Sequence, residues 1–235
     1  MFLSRIKNTA FDILFPPLCV NCRRYDGLKN FLCADCILSI HTNIAFFCPL
    51  CSNRLPHKDS RCHPDTYLLG AVGSYDDPVL ERAIQGFKYE GIKQLKEPLG
   101  ILLALYLESM IGRFEINIRN FIVTPVPLHS KRLRDRGFNQ AFLLAEKVSE
   151  HFGIETDELL VRIKNNAPQV GIQGREARLK NMKEVFAPRG TNEINGKGII
   201  VVDDVFTSGA TMNEAVRVLK KSGARQVIAL VLAKA

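Results

Sequence analysis

The sequence predicts an α/β domain with a parallel sheet, preceded by a small cysteine-rich module. Short apolar runs alternate with amphipathic segments from Leu68 onward, and all seven cysteines lie between Cys19 and Cys62. Strand-length apolar runs separated by helical segments are typical of parallel sheets covered by helices on both faces. We therefore expect two domains, a zinc-binding module over residues 1–66 and an α/β domain over residues 67–235.

The expected elements of the α/β domain follow from this alternation. Predicted strands cover residues 69–75, 121–126, 198–203 and 227–233, and predicted helices cover residues 78–87, 98–111, 139–152 and 211–222. Gly153 and Gly223 follow the last two helices, where glycine commonly ends a helix.

The overall composition is that of an ordinary globular protein. Of 235 residues, 46% are hydrophobic and 24% are charged, which excludes a disordered or fibrous chain. The longest apolar stretch, residues 99–111, contains Glu108 and is shorter than the roughly 20 residues that span a bilayer. A net charge of +8 and a pI near 9.2 favour polyanionic partners such as nucleic acid or phosphorylated small molecules.

The N-terminal residues carry an apolar stripe at helical spacing, formed by Leu3, Ile6, Ala10 and Ile13. Arg5, Lys7 and Asp12 interrupt it, so it does not have the apolar core of a secretory signal. A basic amphipathic start either packs on its own protein or lies on a membrane surface, and we favour packing. We expect a cytoplasmic protein.

Six of the seven cysteines form three pairs with two residues between partners: Cys19/Cys22, Cys33/Cys36 and Cys48/Cys51. This spacing lets a tight turn direct both sulfurs at one tetrahedral cation, so two pairs complete a four-sulfur zinc site. Disulfides and redox pairs are alternatives, but an odd cysteine count and three pairs in series argue against them. The first structural zinc site is therefore predicted to consist of Cys19, Cys22, Cys33 and Cys36.

The second zinc site is predicted to contain Cys48, Cys51 and Cys62, and its fourth ligand is open. Asp65 has the pair spacing from Cys62, His63 is intrinsically the better zinc ligand, and His57 lies in the intervening segment. The spacing slightly favours Asp65, whose carboxylate oxygen can bind zinc at about 2.0 to 2.2 Å.

A phosphate-binding loop is predicted after the third strand. The buried run of residues 199–202 ends in Asp203 and Asp204, and a helix follows the small residues Thr207, Ser208, Gly209, Ala210 and Thr211. Free backbone N–H groups at the positive end of a helix bind phosphate. The two acids would repel a simple phosphate, but they suit a sugar phosphate because they accept hydrogen bonds from ribose hydroxyls. No lysine follows Gly209, so this is not an ordinary P-loop.

A basic loop is predicted between the second strand and its helix, with Lys131, Arg132, Arg134 and Arg136 within six residues. Such density is self-repelling unless an anion binds. The anion is either a pyrophosphate leaving group, whose charge these arginines would stabilise, or a nucleic-acid backbone. The remaining alternative is a solvated loop that binds nothing. Lys88 and Tyr89, at the end of the first helix of the α/β domain, are further candidates for the pyrophosphate side, where Mg²⁺ would bridge the diphosphate and the ribose.

Residues 201–211, VVDDVFTSGAT, are similar to the signature that binds phosphoribosyl pyrophosphate (PRPP) in type I phosphoribosyltransferases. Residues 125–140, PVPLHSKRLRDRGFNQ, and the paired cysteines resemble the ComF family of competence proteins over nearly the whole chain. Gln169, Arg178 and Asn181 also fit this family's pattern. Asp65 departs from it where relatives tend to have a cysteine, and Ser208 and Ala210 replace residues common in nucleotide-salvage enzymes.

This resemblance implies a type I phosphoribosyltransferase-like fold and a role in DNA uptake during natural transformation. Three functions remain open. The first is transfer of a phosphoribosyl group from PRPP to an acceptor. The second is handling of single-stranded DNA in response to PRPP, and the third is docking of other DNA-uptake proteins at the inner membrane through the zinc module. We favour a PRPP-binding competence protein.

Overall fold

The computed structural model describes residues 16–25, 27, 29–57, 60, 63, 66–164, 184–189 and 194–235. Several residues singled out in the sequence lie outside these ranges: the N-terminal stripe of residues 3–13, Cys62, Asp65, Gln169, Arg178 and Asn181. No helix in the described ranges combines the length and the apolar character that crossing a membrane requires.

The described chain contains helices on both sides of a central sheet. The helices are α1 (Ala34–Ser39), α2 (Pro78–Tyr89), α3 (Lys96–Phe114), α4 (Ser130–Arg136), α5 (Gln140–Phe152) and α6 (Ala210–Lys221), with a 3₁₀ turn at Lys93–Leu95. The strands are β1 (Phe46–Phe47), β2 (Arg54–Leu55), β3 (Leu68–Ser74), β4 (Phe121–Pro125), β5 (Leu160–Arg162), β6 (Phe186–Pro188), β7 (Gly198–Phe206) and β8 (Gln226–Lys234).

Six strands form the central sheet in the order β2-β1-β3-β8-β7-β4. The pairs β3–β8, β8–β7 and β7–β4 are parallel, as the residue pair Ile200 and Ile228 of β7 and β8 illustrates. β1 and β2 join antiparallel at one edge, where Phe47 pairs with Leu69. The predicted α/β fold is confirmed, and the cysteine-rich segment extends the same sheet.

Local signals in the sequence explain where the helices begin and end. The Asp77 carboxylate accepts hydrogen bonds from the N–H groups of Val79 and Leu80 at 3.0 Å, and Pro78 occupies the first turn of α2. Asn139 caps α5 in the same way by accepting from the N–H of Ala141. Gly153 ends α5 with φ of +62°, a left-handed conformation that glycine adopts without steric cost.

Two apolar cores lie on opposite faces of the sheet. The first contains residues of α2, α3 and α5, such as Leu80, Leu103 and Leu144, and the second contains residues of α6, β5 and β6. Phe46 of the cysteine-rich segment belongs to the first core, where its ring lies edge-on to that of Phe114 at 4.7 Å. This segment therefore shares a core with the α/β fold instead of packing only on itself.

The structure corrects the predicted end of the third strand. We expected this strand to end at Asp203, but β7 continues to Phe206. Val205 pairs with Ala233 of β8, and Phe206 pairs with Lys234. Because β8 is equally long, its backbone continues to supply hydrogen-bond partners after the two acids, which lie within the strand.

Candidate functional site

The candidate site lies where the parallel strands reach their carboxyl ends. Parallel strands all present these ends at one edge of a sheet, where α/β folds bind ligands. A cavity of about 470 Å³ lies at this edge. Its lining includes Tyr75 after β3, Val126 after β4, and Asp203 and Asp204 near the end of β7.

Lys88 and Asp204 form a largely buried ion pair in this cavity. The Lys88 Nζ atom lies 2.8 Å from Asp204 Oδ1, and about one seventh of each side chain is exposed, 15% and 14% respectively. Burial alone would lower the pKa of Lys88, but the charge and hydrogen bond of Asp204, together with the charge of Asp203, raise that pKa above its ordinary value. The lysine is therefore charged at neutral pH, and Asp204 already has a cationic partner.

Asp203 lies in a different environment from Asp204. Burial, together with the adjacent charge of Asp204, raises the pKa of Asp203 to about 7. The N–H of Asp204 donates to Asp203 Oδ1 at 2.8 Å, and the positive charges of Lys88 and Arg136 limit the rise. The protonation of Asp203 consequently changes around neutrality.

The predicted phosphate loop joins β7 to α6. Gly209 has φ of +77°, and a Cβ atom there would lie 2.7 Å from the Phe206 ring, so both conformation and space require glycine. Gly209, the N-cap residue of α6, has no side chain to cap the helix, and the Ser208 hydroxyl accepts the N–H of Ala210 at 3.4 Å. Thr207 and Thr211 line the cavity, whereas Ser208, Gly209 and Ala210 are not among its lining residues.

The basic segment is a helix, not the loop that we expected. His129 caps α4 by accepting the N–H of Lys131 on Nδ1 at 3.1 Å, and Gly137 ends the helix with φ of +76°. These two caps explain why the segment is helical. We did not predict them, because the sequence analysis considered only the high density of positive charge in this segment. Burial and the surrounding arginines lower the pKa of His129, which favours the neutral ring that can accept this bond.

Helix α4 divides its basic residues between two surfaces. Arg132 and Arg136, one turn apart, line the cavity, whereas Lys131 and Arg134 are exposed and are not among its lining residues. The Arg136 guanidinium lies 5.0 Å from the centre of the Tyr89 ring, which also lines the cavity. The predicted catalytic arginines are therefore not equivalent.

Arg162 is a cavity residue that the sequence did not reveal. It lies on β5, lines the cavity, and has its guanidinium 5.9 Å from the centre of the Phe186 ring. Burial lowers the pKa of Arg162, and the nearby charge of Arg132 adds to this effect. β5 is only three residues long, so no periodic pattern marked it as a strand.

Asn139 and Gln140 also line the cavity, although we did not select them as site residues. Gln140 is buried, accepts a hydrogen bond from Arg136 Nη1 at 3.1 Å, and donates from Nε2 to the carbonyl oxygen of Phe87 at 3.4 Å. Gln140 therefore connects the basic helix to the end of α2, which carries Lys88. Asn139 and Gln140 belong to residues 125–140, the stretch that resembles the ComF family, and this position was the only signal in the sequence that could have identified them as site residues.

Four cysteines come together as predicted for the first zinc site. The Sγ atoms of Cys19 and Cys36 are 3.7 Å apart, and those of Cys22 and Cys33 are 3.6 Å apart. These separations are too long for a disulfide, and they match the roughly 3.8 Å between sulfurs that surround zinc tetrahedrally at about 2.3 Å. This donor set fits zinc.

The first and third cysteine pairs have the same backbone geometry. The N–H of Arg23 donates to the carbonyl oxygen of Cys19 at 3.0 Å, and the N–H of Ser52 donates to that of Cys48 at 2.9 Å. Arg23 and Ser52 both occupy the left-handed region, with φ of +61° and +62°. Each of these turns places its two sulfurs on one side, as a metal-binding knuckle does.

The second cluster contains Cys48, Cys51 and His63 among the residues that the structure describes. His63 Nδ1 lies 3.4 Å from Cys48 Sγ and 3.8 Å from Cys51 Sγ. Cys62 and Asp65, the other predicted ligands, lie outside the described residues, and His57, which is described, is not in the cluster. His63 thus has the geometry expected of a ligand.

Comparison with protein families matches two parts of the chain. Residues 10–64 match the model of the double zinc ribbon domain, and residues 139–235 match the model of the phosphoribosyl transferase domain.

Three relatives span different shares of the chain. Competence protein F of Haemophilus influenzae is 29% identical over 92% of this chain and 96% of its own. DNA utilization protein YhgH of Escherichia coli K12 is 29% identical over 90% and 94%, respectively. Competence protein ComFC of Bacillus subtilis is 32% identical over 45% of this chain and 40% of its own.

Among solved structures, an allosteric regulatory enzyme of purine biosynthesis matches with a TM-score of 0.37 and 20% identity, over 72% of this chain and 28% of the enzyme chain. The glutamine PRPP amidotransferase of B. subtilis matches with a TM-score of 0.37 and 17% identity over the same shares.

The zinc clusters predict the metal content of the protein. We expect two zinc ions per chain by elemental analysis, since each cluster supplies soft ligands for one ion. Changing Cys48 and Cys51 together to Ser should leave one zinc ion, because the four-cysteine cluster is untouched. Zinc-free protein after purification without chelators, with its cysteines in disulfides, would contradict both sites.

The environment of Asp203 predicts an unusual titration. In ¹³C-aspartate NMR spectra, one carboxyl should titrate near pH 7, far above its usual value of 3.8, and its signal should be missing in Asp203→Asn. Lys88→Met should raise this pKa further, because Lys88 favours the ionised form. If every aspartate of the folded wild-type protein titrates below pH 5, the assigned environment is wrong.

Proposed function

We propose that this chain, whose sequence motifs resemble those of the ComF-type competence proteins, binds PRPP. Its proposed role is the handling of transforming DNA in the cytoplasm. One observation carries the proposal. Two acids, Thr207 and Thr211 of the predicted phosphate loop, and three arginines line one cavity at the carboxyl edge of the parallel sheet. The relatives named for competence and DNA utilization support the biological setting.

The cavity offers complementary groups for each part of PRPP. We assign the 5′-phosphate to the loop from Thr207 to Thr211, which leads into the positive N-terminal end of α6. The ribose hydroxyls would donate to Asp203 and Asp204. The diphosphate would lie near Lys88, Tyr89 and the lining arginines, where its negative charge is best compensated.

Mg²⁺ fits this arrangement because carboxylate and phosphate oxygens are the hard ligands that it prefers. Asp203 and Asp204 are the residues that would face it, together with the ribose and the diphosphate. When bound, the ion would neutralise part of the diphosphate charge. Asp203 and Asp204 would orient the sugar, and the cationic side chains of the cavity would reduce the repulsion between these two acids and the negatively charged ligand.

The Lys88–Asp204 ion pair gives binding a specific requirement. Asp204 can accept a ribose hydroxyl with an oxygen that Lys88 leaves accessible. The Lys88 ammonium has three N–H donors, so it can contact the diphosphate while it still donates to Asp204. Lys88 would therefore neutralise Asp204 before PRPP enters and pair with the diphosphate as well. Asp204 would keep its cationic partner when PRPP is bound.

The candidate reaction is transfer of the phosphoribosyl group. In this reaction the bond between C1 of the ribose and the diphosphate oxygen breaks, and an acceptor nucleophile forms a bond to C1. Pyrophosphate carries away the bonding electrons, and the lining arginines stabilise its charge. The alternative is that PRPP acts as a signal and that the chain serves as a DNA-binding or docking protein without transfer.

The exposed face of α4 favours a DNA-binding role beside the PRPP site. Lys131 and Arg134 are exposed and lie outside the cavity lining, so they remain accessible to a nucleic-acid backbone while PRPP is bound. Contacts of this kind bind phosphates without reading sequence and weaken as salt increases. Single-stranded DNA is therefore the proposed macromolecular partner.

Changing Asp203 and Asp204 together to Asn should weaken PRPP binding by about two to four decades. Each hydrogen bond from a ribose hydroxyl to a carboxylate contributes roughly 1.5 to 3 kcal/mol, and Asn keeps the size but removes the charge. Calorimetry with PRPP and Mg²⁺ measures the loss. Glu155→Gln, which removes an exposed acid outside the cavity lining, is the control and should stay within about twofold of wild type. Unchanged affinity in a folded double variant would refute the assigned ribose contacts.

Two pairs of substitutions on α4 should separate DNA binding from PRPP binding. Lys131→Gln with Arg134→Gln should weaken binding of single-stranded DNA and reduce its salt dependence, with PRPP affinity retained. Arg132→Gln with Arg136→Gln should weaken PRPP binding. Fluorescence anisotropy at two salt concentrations and calorimetry provide the two measurements. Loss of PRPP binding in the first pair, or DNA binding that ignores salt, would contradict the division of α4.

A further inference from the structure

Glu214 is a buried acid that the proposed PRPP contacts do not use. It lies in α6 with 6% of its surface exposed. Its two carboxylate oxygens accept from Arg217, with Nη2 to Oε1 at 2.6 Å and Nε to Oε2 at 2.7 Å. Oε1 also accepts the backbone N–H of Glu184 at 2.7 Å. A buried carboxylate thus connects α6 to a backbone segment 30 residues away in sequence.

Glu184 lies at the foot of the two-stranded β5–β6 sheet. It has φ of +55°, a left-handed conformation that residues other than glycine adopt infrequently. Its side chain pairs with Lys164 Nζ at 2.9 Å. The next residue, Val185, accepts the N–H of Ile163 on its carbonyl oxygen at 2.8 Å. The N–H that Glu214 holds is therefore adjacent to the hydrogen bonds that close this small sheet.

Both partners of this contact lead directly to the cavity. Thr211, in the first turn of α6, lines the cavity three residues before Glu214. On the other side, β5 carries Arg162, which lines the same cavity and is paired in register with Phe186 of β6. Glu214 therefore links the helix of the phosphate loop to the strands that present Arg162.

The charges around Arg162 indicate which part of a ligand it would contact. Arg162 and Arg132 come from different elements, line the same cavity, and form no salt bridge to a carboxylate within the described residues. The charge of Asp203 offsets part of the repulsion between the two arginines at Arg162, and a bound anion would offset more of it. In PRPP the diphosphate is the group with the highest negative charge.

We propose that Glu214 is a positioning residue, which holds the backbone of Glu184 so that the β5–β6 sheet presents Arg162 to the diphosphate of PRPP. This inference rests on the proposed PRPP site. An apolar residue would cost less to bury than this charged pair, but it would leave the Glu184 N–H without its acceptor. The carboxylate acts through Arg162 and does not touch the ligand.

The test compares full-length, zinc-containing variants by calorimetry with Mg²⁺. Glu214→Leu removes the acceptor, and Glu214→Gln keeps a side-chain carbonyl oxygen for the Glu184 N–H. Arg162→Gln removes the presented cation, and a double variant combines Glu214→Leu with Arg162→Gln. The ligands are PRPP and ribose 5-phosphate, which lacks the diphosphate. Hydrogen exchange of the Ile163 amide reports on the β5–β6 sheet without any ligand.

We expect Glu214→Leu to weaken PRPP binding about tenfold to hundredfold, as Arg162→Gln does, and to change ribose 5-phosphate binding less than threefold. Glu214→Gln should stay within about threefold of wild type. The double variant should be no weaker than Arg162→Gln alone, because both changes remove one interaction. The Ile163 amide should exchange at least about tenfold faster in Glu214→Leu, with α6 amides unchanged.

Different failures have different meanings. Additive losses in the double variant, or equal losses for PRPP and ribose 5-phosphate, would overturn the positioning role. Normal exchange and normal PRPP affinity in Glu214→Leu would overturn it as well. Wild-type protein that binds no PRPP would instead contradict the proposed function, and the role of Glu214 with it.

Discussion

The parallel pairing of β7 between β8 and β4 is the constraint on which the candidate site depends. It places Asp203 and Asp204 at the same edge as the segments that follow β3 and β4. Residues distant in sequence therefore meet around one cavity. The apolar cores on both faces hold this edge in place, because β7 and β8 are buried along most of their length. The cysteine-rich segment adds strands to the sheet and residues to the first core.

The two acids at this edge have stabilising interactions within the chain itself. Two adjacent carboxylates repel each other, and the structure reduces this repulsion in two ways. Lys88 pairs with Asp204, and burial favours the neutral form of Asp203. The cations of α4 and β5 exceed what these acids can compensate, so the cavity as a whole attracts anions. A ligand with both hydroxyls and a diphosphate matches this combination better than a simple phosphate does.

Much of the fold and part of the site could be predicted because their signals are local. The acids after an apolar run, the glycine in the loop and the cysteine spacing each depend on a few neighbouring residues. Arg162 was missed because tertiary packing, not periodicity, places β5 beside the cavity. The end of β7 depends on the length of its partner β8, and α4 depends on the caps His129 and Gly137. The place of His63 beside Cys48 and Cys51 likewise depends on how the chain folds back.

Recognition of the whole PRPP molecule by this cavity can be measured by thermal unfolding. The wild-type, zinc-containing protein is unfolded at fixed Mg²⁺ and increasing ligand concentration. Because a ligand that binds only the folded state stabilises it by mass action, Tm should rise continuously with PRPP. It should rise less with ribose 5-phosphate at the same concentrations. A Tm that does not change with PRPP concentration up to the millimolar range, roughly a thousand times a micromolar Kd, would contradict the account.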